Sequence, residues 1–304
     1  MNRPHIQNRQ SWPRSLALLL LPTALCLLPT GASADAPSVS YIFPAGGQRG
    51  TSVAFHVGGH FLHDVCPLEM IGPGVQATPL IYRAPHTAWF EGPVVPKPYS
   101  SDREDYPKDQ AGAVSIAPDA ELGVRRFRVW TSQGVIPTMK FVIGEFPEVI
   151  EREIDGQPVP TAVELPVTIN GRIFPREDVD IWTFAARAGK GYTCEVMAAR
   201  IGSPLDSRLE IIAPDGRPIA ENVDGHGTDS LLQFTAPVDG EYQVKIHDIN
   251  FGGLQHYVYR LTINDGPSIN EVYPLGGRRG ETIAVQLDGV NLDASTAKLT
   301  LPTN

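Results

Sequence analysis

Two stretches of this chain decide how it is built: "PSVSYIFPAGGQRGTSVAFHVGGHFLHD" at residues 37–64 and "PSINEVYPLGGRRGETIAVQLDGVNLDA" at residues 267–294. They align without a gap and are identical at 10 of 28 positions, among them Pro44/Pro274, Gly46-Gly47/Gly276-Gly277, Arg49-Gly50/Arg279-Gly280 and Gly59/Gly289. A repeat this long indicates a duplicated unit with other material between its copies. Each copy reads as a strand ending at the proline, a glycine-rich turn, and a second strand. The second strand alternates Val53, Phe55 and Val57 in one copy and Ile283, Val285 and Leu287 in the other. That period of two sends one face inward. Beyond the first copy, "RRFRVWTSQGVIPTMKFVI" reads as a hairpin around Gln133-Gly134.

The bulk composition agrees with many short strands. The 304 residues are 42% hydrophobic and 19% charged, with 29 glycines and 28 prolines. Dense Gly and Pro without a short period favour turns between strands over long helices. Residues 1–34 read as a signal peptide. Arg3, Arg9 and Arg14 precede the apolar run "LALLLLPTALCLL", and Ala32-Ser33-Ala34 forms a small-residue cleavage site. The run is shorter than a spanning helix requires, and Leu25 before Cys26 argues against a lipoprotein signal. Cleavage leaves 22 basic residues against 34 acidic ones, a net charge of −12. Such a surface disfavours nucleic acid and anionic lipid and leaves cations open. The expected location is outside the cytoplasm, secreted, at the cell surface or in the periplasm, with no membrane insertion after cleavage. Cys66 and Cys194 remain in the mature chain. Cys194, alternating with Tyr192 and Val196, reads as a buried thiol, with an interdomain disulfide as the other option.

The arrangement over residues 35–146 resembles the IPT/TIG family of immunoglobulin-like sandwiches, in the P-x-x-G-x-x-G start and the closing hairpin. Within it, "PVVPKPYSSDREDYPKDQAG" (93–112) is expected to be an exposed loop. Residues 266–304 are then the N-terminal part of a second such unit. They give some 38 residues where the first takes about 110, so the natural protein is expected to be longer. Between the copies, residues 147–265 carry Gly171-Arg172-Ile173, Asp178-Val179-Asp180-Ile181-Trp182-Thr183-Phe184, Pro214-Asp215-Gly216, Asp229-Ser230-Leu231-Leu232 and Gly240-Glu241-Tyr242-Gln243-Val244. This order resembles the bacterial pre-peptidase C-terminal domain, a jelly-roll-like module of secreted proteins. The expected fold is all-β, a tandem of antiparallel β-sandwiches.

Two fragments resemble subtilisin-like protease motifs: His226-Gly227-Thr228 and Gly50-Thr51-Ser52. Their chain order is the reverse of that family's Asp, His, Ser order. Ser52 also enters an alternating strand, where a nucleophile needs a strand–turn–helix setting. Short motifs arise readily by chance, so no catalytic residue is assigned. His56, His60, His63, Asp64 and Cys66 lie within eleven residues, but the second copy keeps the glycines and drops the histidines, so the histidines read as surface residues rather than a metal site. Trp182, Phe184, Tyr242 and Tyr257 alternate as a sandwich core requires.

One candidate site follows from the family resemblance. Some pre-peptidase C-terminal-like domains hold calcium between an acidic N-terminal segment and an acidic turn. "EREIDG" places Glu151, Glu153 and Asp155 on the first pattern, and "EDVD" places Glu177 and Asp180 on the second. Residues 151, 153 and 155 would share one side of an extended strand, and calcium takes six to eight oxygen ligands. Ile154 and Gly156 depart from the family pattern; the latter removes a ligand. The function expected is that of a non-catalytic extracellular binding, adhesion or stabilising module whose partner is a protein or polysaccharide. The alternatives are an accessory region of a larger secreted hydrolase and an architectural spacer of a cell-surface protein.

Overall fold

The structure, a computed structural model, describes residues 36–84, 108–152 and 159–303. The expected signal peptide and most of the expected loop at 93–112 lie outside them. The described residues form strands throughout, with one 3-10 turn at Ala199–Ile201. No helix among them is long and apolar enough to cross a membrane.

The first sheet system contains β1 (Ser38–Phe43), β2 (Gly46–Gln48), β3 (Ser52–His60), β4 (Val65–Ile71), β5 (Val75–Ala77), β6 (Leu80–Arg83), β7 (Lys108–Ile116), β8 (Gly123–Thr131) and β9 (Gly134–Gly144). Its order is β1-β3-β7-β6-β4-β8-β9-β2, with β5 on β7. Val65–Pro67 of β4 pair with β6 and Leu68–Ile71 pair with β8, so β4 carries the sheet around a corner. The sheet folds over Ile42, Phe55, Val57, Ile81, Phe127 and Phe141, all at most 1% exposed. Phe55 and Val57 face inward as their alternation requires. The expected hairpin is β8–β9, turning at Ser132-Gln133.

Two readings need correcting here. Gly46–Gln48, expected as pure turn, pairs in parallel with Val142–Gly144. Residues 108–112, expected as loop, begin β7 beside β3. Their polarity hid the strand. Asp109 is buried because Tyr41 donates its hydroxyl hydrogen to that carboxylate, while His56 Nδ1 lies 3.1 Å from its other oxygen. His56 keeps 40% of its side chain open at the surface while contacting this buried acid.

A second body follows: β10 (Glu148–Ile150), β11 (Thr161–Ala162), β12 (Val167–Arg172), β13 (Asp180–Ala186), β14 (Gly191–Met197), β15 (Ser207–Ile212), β16 (Pro218–Asn222), β17 (Leu231–Thr235), β18 (Gly240–Asp248) and β19 (Val258–Asn264). They make two five-stranded sheets, β10-β12-β19-β14-β17 and β11-β13-β18-β15-β16. Between them lies a core containing Trp182, Phe184, Tyr192, Cys194, Tyr242 and Tyr259, with Tyr257 packed at its margin. Phe184, Tyr192, Phe234 and Tyr242 stack with centroids 5.4–6.3 Å apart, the spacing favoured by aromatic pairs. Cys66 and Cys194 are both buried and free.

The last sheet is β20 (Ser268–Tyr273), β21 (Thr282–Val290) and β22 (Thr296–Thr300). It repeats the first copy down to its irregularity. Ser38 pairs with His60 and Phe43 with His56, with a bulge between Val39 and Tyr41. Ser268 pairs with Val290 and Tyr273 with Gln286, with the bulge between Ile269 and Glu271. Gln233 and Asn270 exchange side-chain hydrogen bonds, and Asn291 Nδ2 donates to Gly191 O at 2.8 Å, tying this sheet to the second sandwich.

The first two sandwiches meet through a buried polar junction. The Arg172 guanidinium lies over the Phe43 ring, 3.9 Å from its centroid, and 5.3 Å from that of Tyr41. Arg260 makes a two-pronged pair with Glu148, Nη2 to Oε1 at 2.7 Å and Nη1 to Oε2 at 3.0 Å, and also donates to Asn170 Oδ1. Gly46 of the first sandwich lies against this arginine: a Cβ there would fall 2.1 Å from Arg260 Nη1. Ile201 and Val258 of the second sandwich complete the first core.

Candidate metal centre

The acidic residues singled out from sequence converge only in part. Glu151 leaves β10, and its Oε2 accepts the Arg172 amide hydrogen at 2.8 Å. Asp180 opens β13, is buried, and accepts the Tyr259 hydroxyl hydrogen at 2.7 Å. Tyr259 in turn accepts from Trp182 Nε1 at 3.1 Å. The two carboxyl groups act on each other: Glu151 pushes Asp180 up, and Asp180 draws Glu151 down against the larger effect of its burial. Gly171 makes room for the pair. A Cβ there would lie 2.3 Å from Tyr259 and 2.8 Å from Glu151 Oε2.

Glu177, expected as a ligand, occupies an exposed turn in the left-handed region, φ 67°. The buried acid of that turn is Asp178. One of its oxygens takes the Phe174 amide at 3.2 Å and the other the Val179 amide at 2.9 Å, which closes the turn. Its charge acts on both Glu151 and Asp180. Sequence reasoning missed it, although Asp178 and Asp180 are two apart and period two was the available signal. Glu153 and Asp155 lie outside the described residues.

Burial sets the electrostatics. It pushes the Asp180 carboxyl well up, and the charges of Glu151 and Asp178 push it further. Burial also raises Glu151 and Asp178, and raises the Tyr259 hydroxyl with help from Asp180 and Glu151. The fold thus concentrates negative charge where water screens it poorly. A proton or a hard cation relieves it, and an all-oxygen donor set fits calcium in kind. The number of donors is smaller than calcium needs: among the described residues no three acidic, histidine or cysteine side chains come together as a metal-holding group. Further oxygens would have to come from the 153–155 segment, the backbone or water.

The residues of the protease-like fragments are in separate settings. Ser52 Oγ is 3.1 Å from Ser115 Oγ on an exposed sheet face. His226 is exposed, with Glu195 Oε1 3.9 Å from its Nε2. Asp229, three residues on, accepts from the amides of Ala198, Ala199 and Arg200 and from Arg200 Nε at 2.7–3.2 Å. Its role is to hold the 3-10 turn. One serine–histidine contact does exist, His63 Nε2 to Ser132 Oγ at 3.0 Å, but that nitrogen already accepts the Ser132 amide hydrogen at 2.9 Å. Its single lone pair is not free to take the hydroxyl proton.

No known family profile matches the chain. A Deinococcus radiodurans protein named "Probable subtilase-type serine protease" is 36% identical over 74 residues, a stretch that covers 24% of this chain and 10% of that protein. The chain is therefore a partial homologue that spans a small fraction of its relative. Among solved structures, the pre-peptidase C-terminal domain of a Bacillus anthracis collagenase aligns at 17% identity with a TM-score of 0.30, covering 36% of this chain and 97% of that one. The periplasmic g-type lysozyme inhibitor PliG of Aeromonas hydrophila aligns at 19% identity with a TM-score of 0.29, covering 38% and 97%.

Proposed function

We propose that this chain is a non-catalytic β-sandwich region of an exported, protease-like polypeptide, and that it positions and stabilises rather than cleaves. The observation that carries this reading is the engagement of the motif residues. Ser52 faces Ser115, His226 faces Glu195, and Asp229 is spent on four N–H donors. The partial protease relative supports the context. In this reading residues 35–146 are an IPT/TIG-like module, 147–265 a pre-peptidase C-terminal-like module and 266–304 the start of a second IPT/TIG-like unit, exported by residues 1–34. The test is hydrolysis of a general protein substrate by the exported chain and by Ser52→Ala and His226→Ala variants. No turnover is expected; turnover abolished by both substitutions refutes the reading.

Calcium belongs to the same proposal. Glu151 and Asp180 would hold it with Glu153 and Asp155, backbone and water oxygens would complete the shell, and the nearby Asp178 charge would add to the attraction. The ion would supply charge neutralisation, locking the turn before β13 to the end of β10. An architectural role is favoured by the junction, where Arg172 of the second sandwich stacks on Phe43 and Tyr41 of the first.

A further inference from the structure

The first sandwich changes sheets at Pro44, and the change leaves a notch. Strand β1 runs antiparallel to β3 as far as the pair Phe43–His56. The chain then crosses to β9, where Ala45 O accepts the Val142 amide hydrogen. In an antiparallel ladder successive residues aim their N–H and C=O alternately at one neighbouring strand and the other. Thr51 O accepts from Ile116 N, so Thr51, Val53 and Phe55 address β7 while Ser52, Ala54 and His56 address the β1 side. His56 meets Phe43 there, but Ala54 and Ser52 lie beyond the end of β1. A second free edge borders the same space. Pro147 O and Glu151 N bond to β12, which leaves the N–H and C=O of Glu148 and Ile150 on the side of β10 away from its sheet. Ser52, Ala54, Glu148 and Ile150 line one cavity of about 300 Å³, together with Pro44 and Val53. Among the described residues none pairs with the main-chain groups of these four.

We propose that this notch binds an extended segment of a separate polypeptide, which takes the lane beside β3 that β1 leaves at Pro44 and faces the free edge of β10. Recognition is by main chain. Each edge presents N–H and C=O groups at strand spacing, and the alternating donors and acceptors of another strand match them. Ser52 to Ala54 spans about 7 Å, so about three residues of the segment fit. Ile150, 48% exposed, and Pro44 add an apolar contact. The Glu148 carboxylate is held by Arg260, so the site asks for no charge on its partner and its binding should be insensitive to salt. A second copy of this chain is a poor donor. The notch offers edges on two sides, and every strand among the described residues is already paired on at least one. The inference goes beyond the reading of the chain as a non-catalytic region, and its test involves neither peptidase activity nor calcium.

The probe is a capped Thr-Val-Thr-Val-Thr peptide, titrated into the exported chain to about 5 mM, which fills a site of millimolar affinity. The control peptide carries N-methyl groups on both valines. Backbone amide exchange read by NMR is the main measurement. In the free chain the amides of Ser52, Ala54, Glu148 and Ile150 should exchange fast. The peptide should slow them and leave Val53 and Val149, already bonded within their sheets, as they were. N-methylation should weaken binding about two- to tenfold, the loss of one hydrogen bond. Ala54→Pro should weaken the plain peptide by a similar factor. The Ala54 N–H serves no ladder, so proline is tolerated there, and an unchanged melting temperature checks the fold. Ile150→Trp, at an exposed position, should block the notch without touching β3. Slow exchange at the four amides before peptide is added overturns the proposal, by putting a segment of the chain itself in the notch. Binding that ignores N-methylation overturns it, as does the absence of saturable protection at about 5 mM peptide. Self-association abolished by Ala54→Pro overturns it too, by making a second copy the occupant.

Discussion

Replacing Arg260 by alanine should destabilise the second sandwich, whose strands β10, β12 and β19 it ties together through Glu148 and Asn170 where they pack against Gly46 of the first. Its side chain is 4% exposed and that of its partner Glu148 is 11% exposed, so the pair sits out of water and the loss leaves a buried carboxylate uncompensated. Removing one partner of a buried pair costs about 3–5 kcal/mol. An unfolding unit of this size loses about 2–4 °C of melting temperature per kcal/mol, so a fall of about 10 °C is expected for Arg260→Ala. The double variant Arg260→Met, Glu148→Gln removes both charges, fills the space, and leaves an acceptor for Asn170 Nδ2, which donates to Glu148 Oε2 at 2.8 Å. It should recover most of the loss, because a buried ion pair is worth little against neutral groups of similar size. Gly46→Ala tests the same junction from the other side, since the new Cβ would meet both Arg260 Nη1 and, at 2.3 Å, the Val142 carbonyl oxygen. Urea unfolding followed by circular dichroism measures all three. A loss below about 1 kcal/mol for Arg260→Ala, or a double variant as weak as the single one, would refute the argument.

Three further outcomes are expected. In chelator, the Glu151–Asp180 pair should make the protein less stable as pH rises. Both folded-state pKa values are raised, so the folded state holds more protons, and that contribution is lost as pH climbs through the raised values. Millimolar calcium should restore melting temperature most at the alkaline end. Asp180→Asn should raise stability at neutral pH in chelator and abolish the calcium response; differential scanning calorimetry reads both, and a calcium shift that survives the substitution removes the site. The thiols should resist alkylation in the native state, because both are buried and burial pushes Cys194 up to about 12; rapid native labelling of Cys194 by iodoacetamide would contradict its placement.

The strands were legible wherever one face is apolar. Val53, Phe55 and Val57, or Tyr192, Cys194 and Val196, alternate in the chain and are buried in the fold. The start of β7 was not, because Asp109 and Gln110 are buried polar residues and Asp109 is satisfied only by Tyr41 and His56, which are distant in sequence. The candidate site was half legible. Composition marked "EDVD", but the choice between Glu177 and Asp178 depends on a turn closed by Asp178 itself. The junction was not anticipated, because nothing local in the sequence marks Arg172 or Arg260 as buried. A trace of it was present: in "HYVYRLTI" the face opposite Tyr259, Leu261 and Ile263 begins with Val258, an apolar residue where a solvated face would carry a polar one.

The two copies separate what makes this fold from what the fold is used for. Identities fall largely at prolines and glycines, residues that set the backbone, and the bulge and register recur with them. The divergence is on the outward face, where Tyr41 becomes Glu271, His56 becomes Gln286 and Gly58 becomes Asp288. Those changes leave the strand pairing intact, so the backbone does not require them. Their effect is on what the face can touch. In the first copy an aromatic surface accepts an arginine from the neighbouring sandwich, and the chain becomes one jointed body. In the second copy the ring is kept and two carboxylates are added, which strengthens attraction for a cation while discouraging the dry contact that Gly58 permits. One framework therefore carries an aromatic face that packs on an arginine in one copy and a face bearing Glu271 and Asp288 in the other.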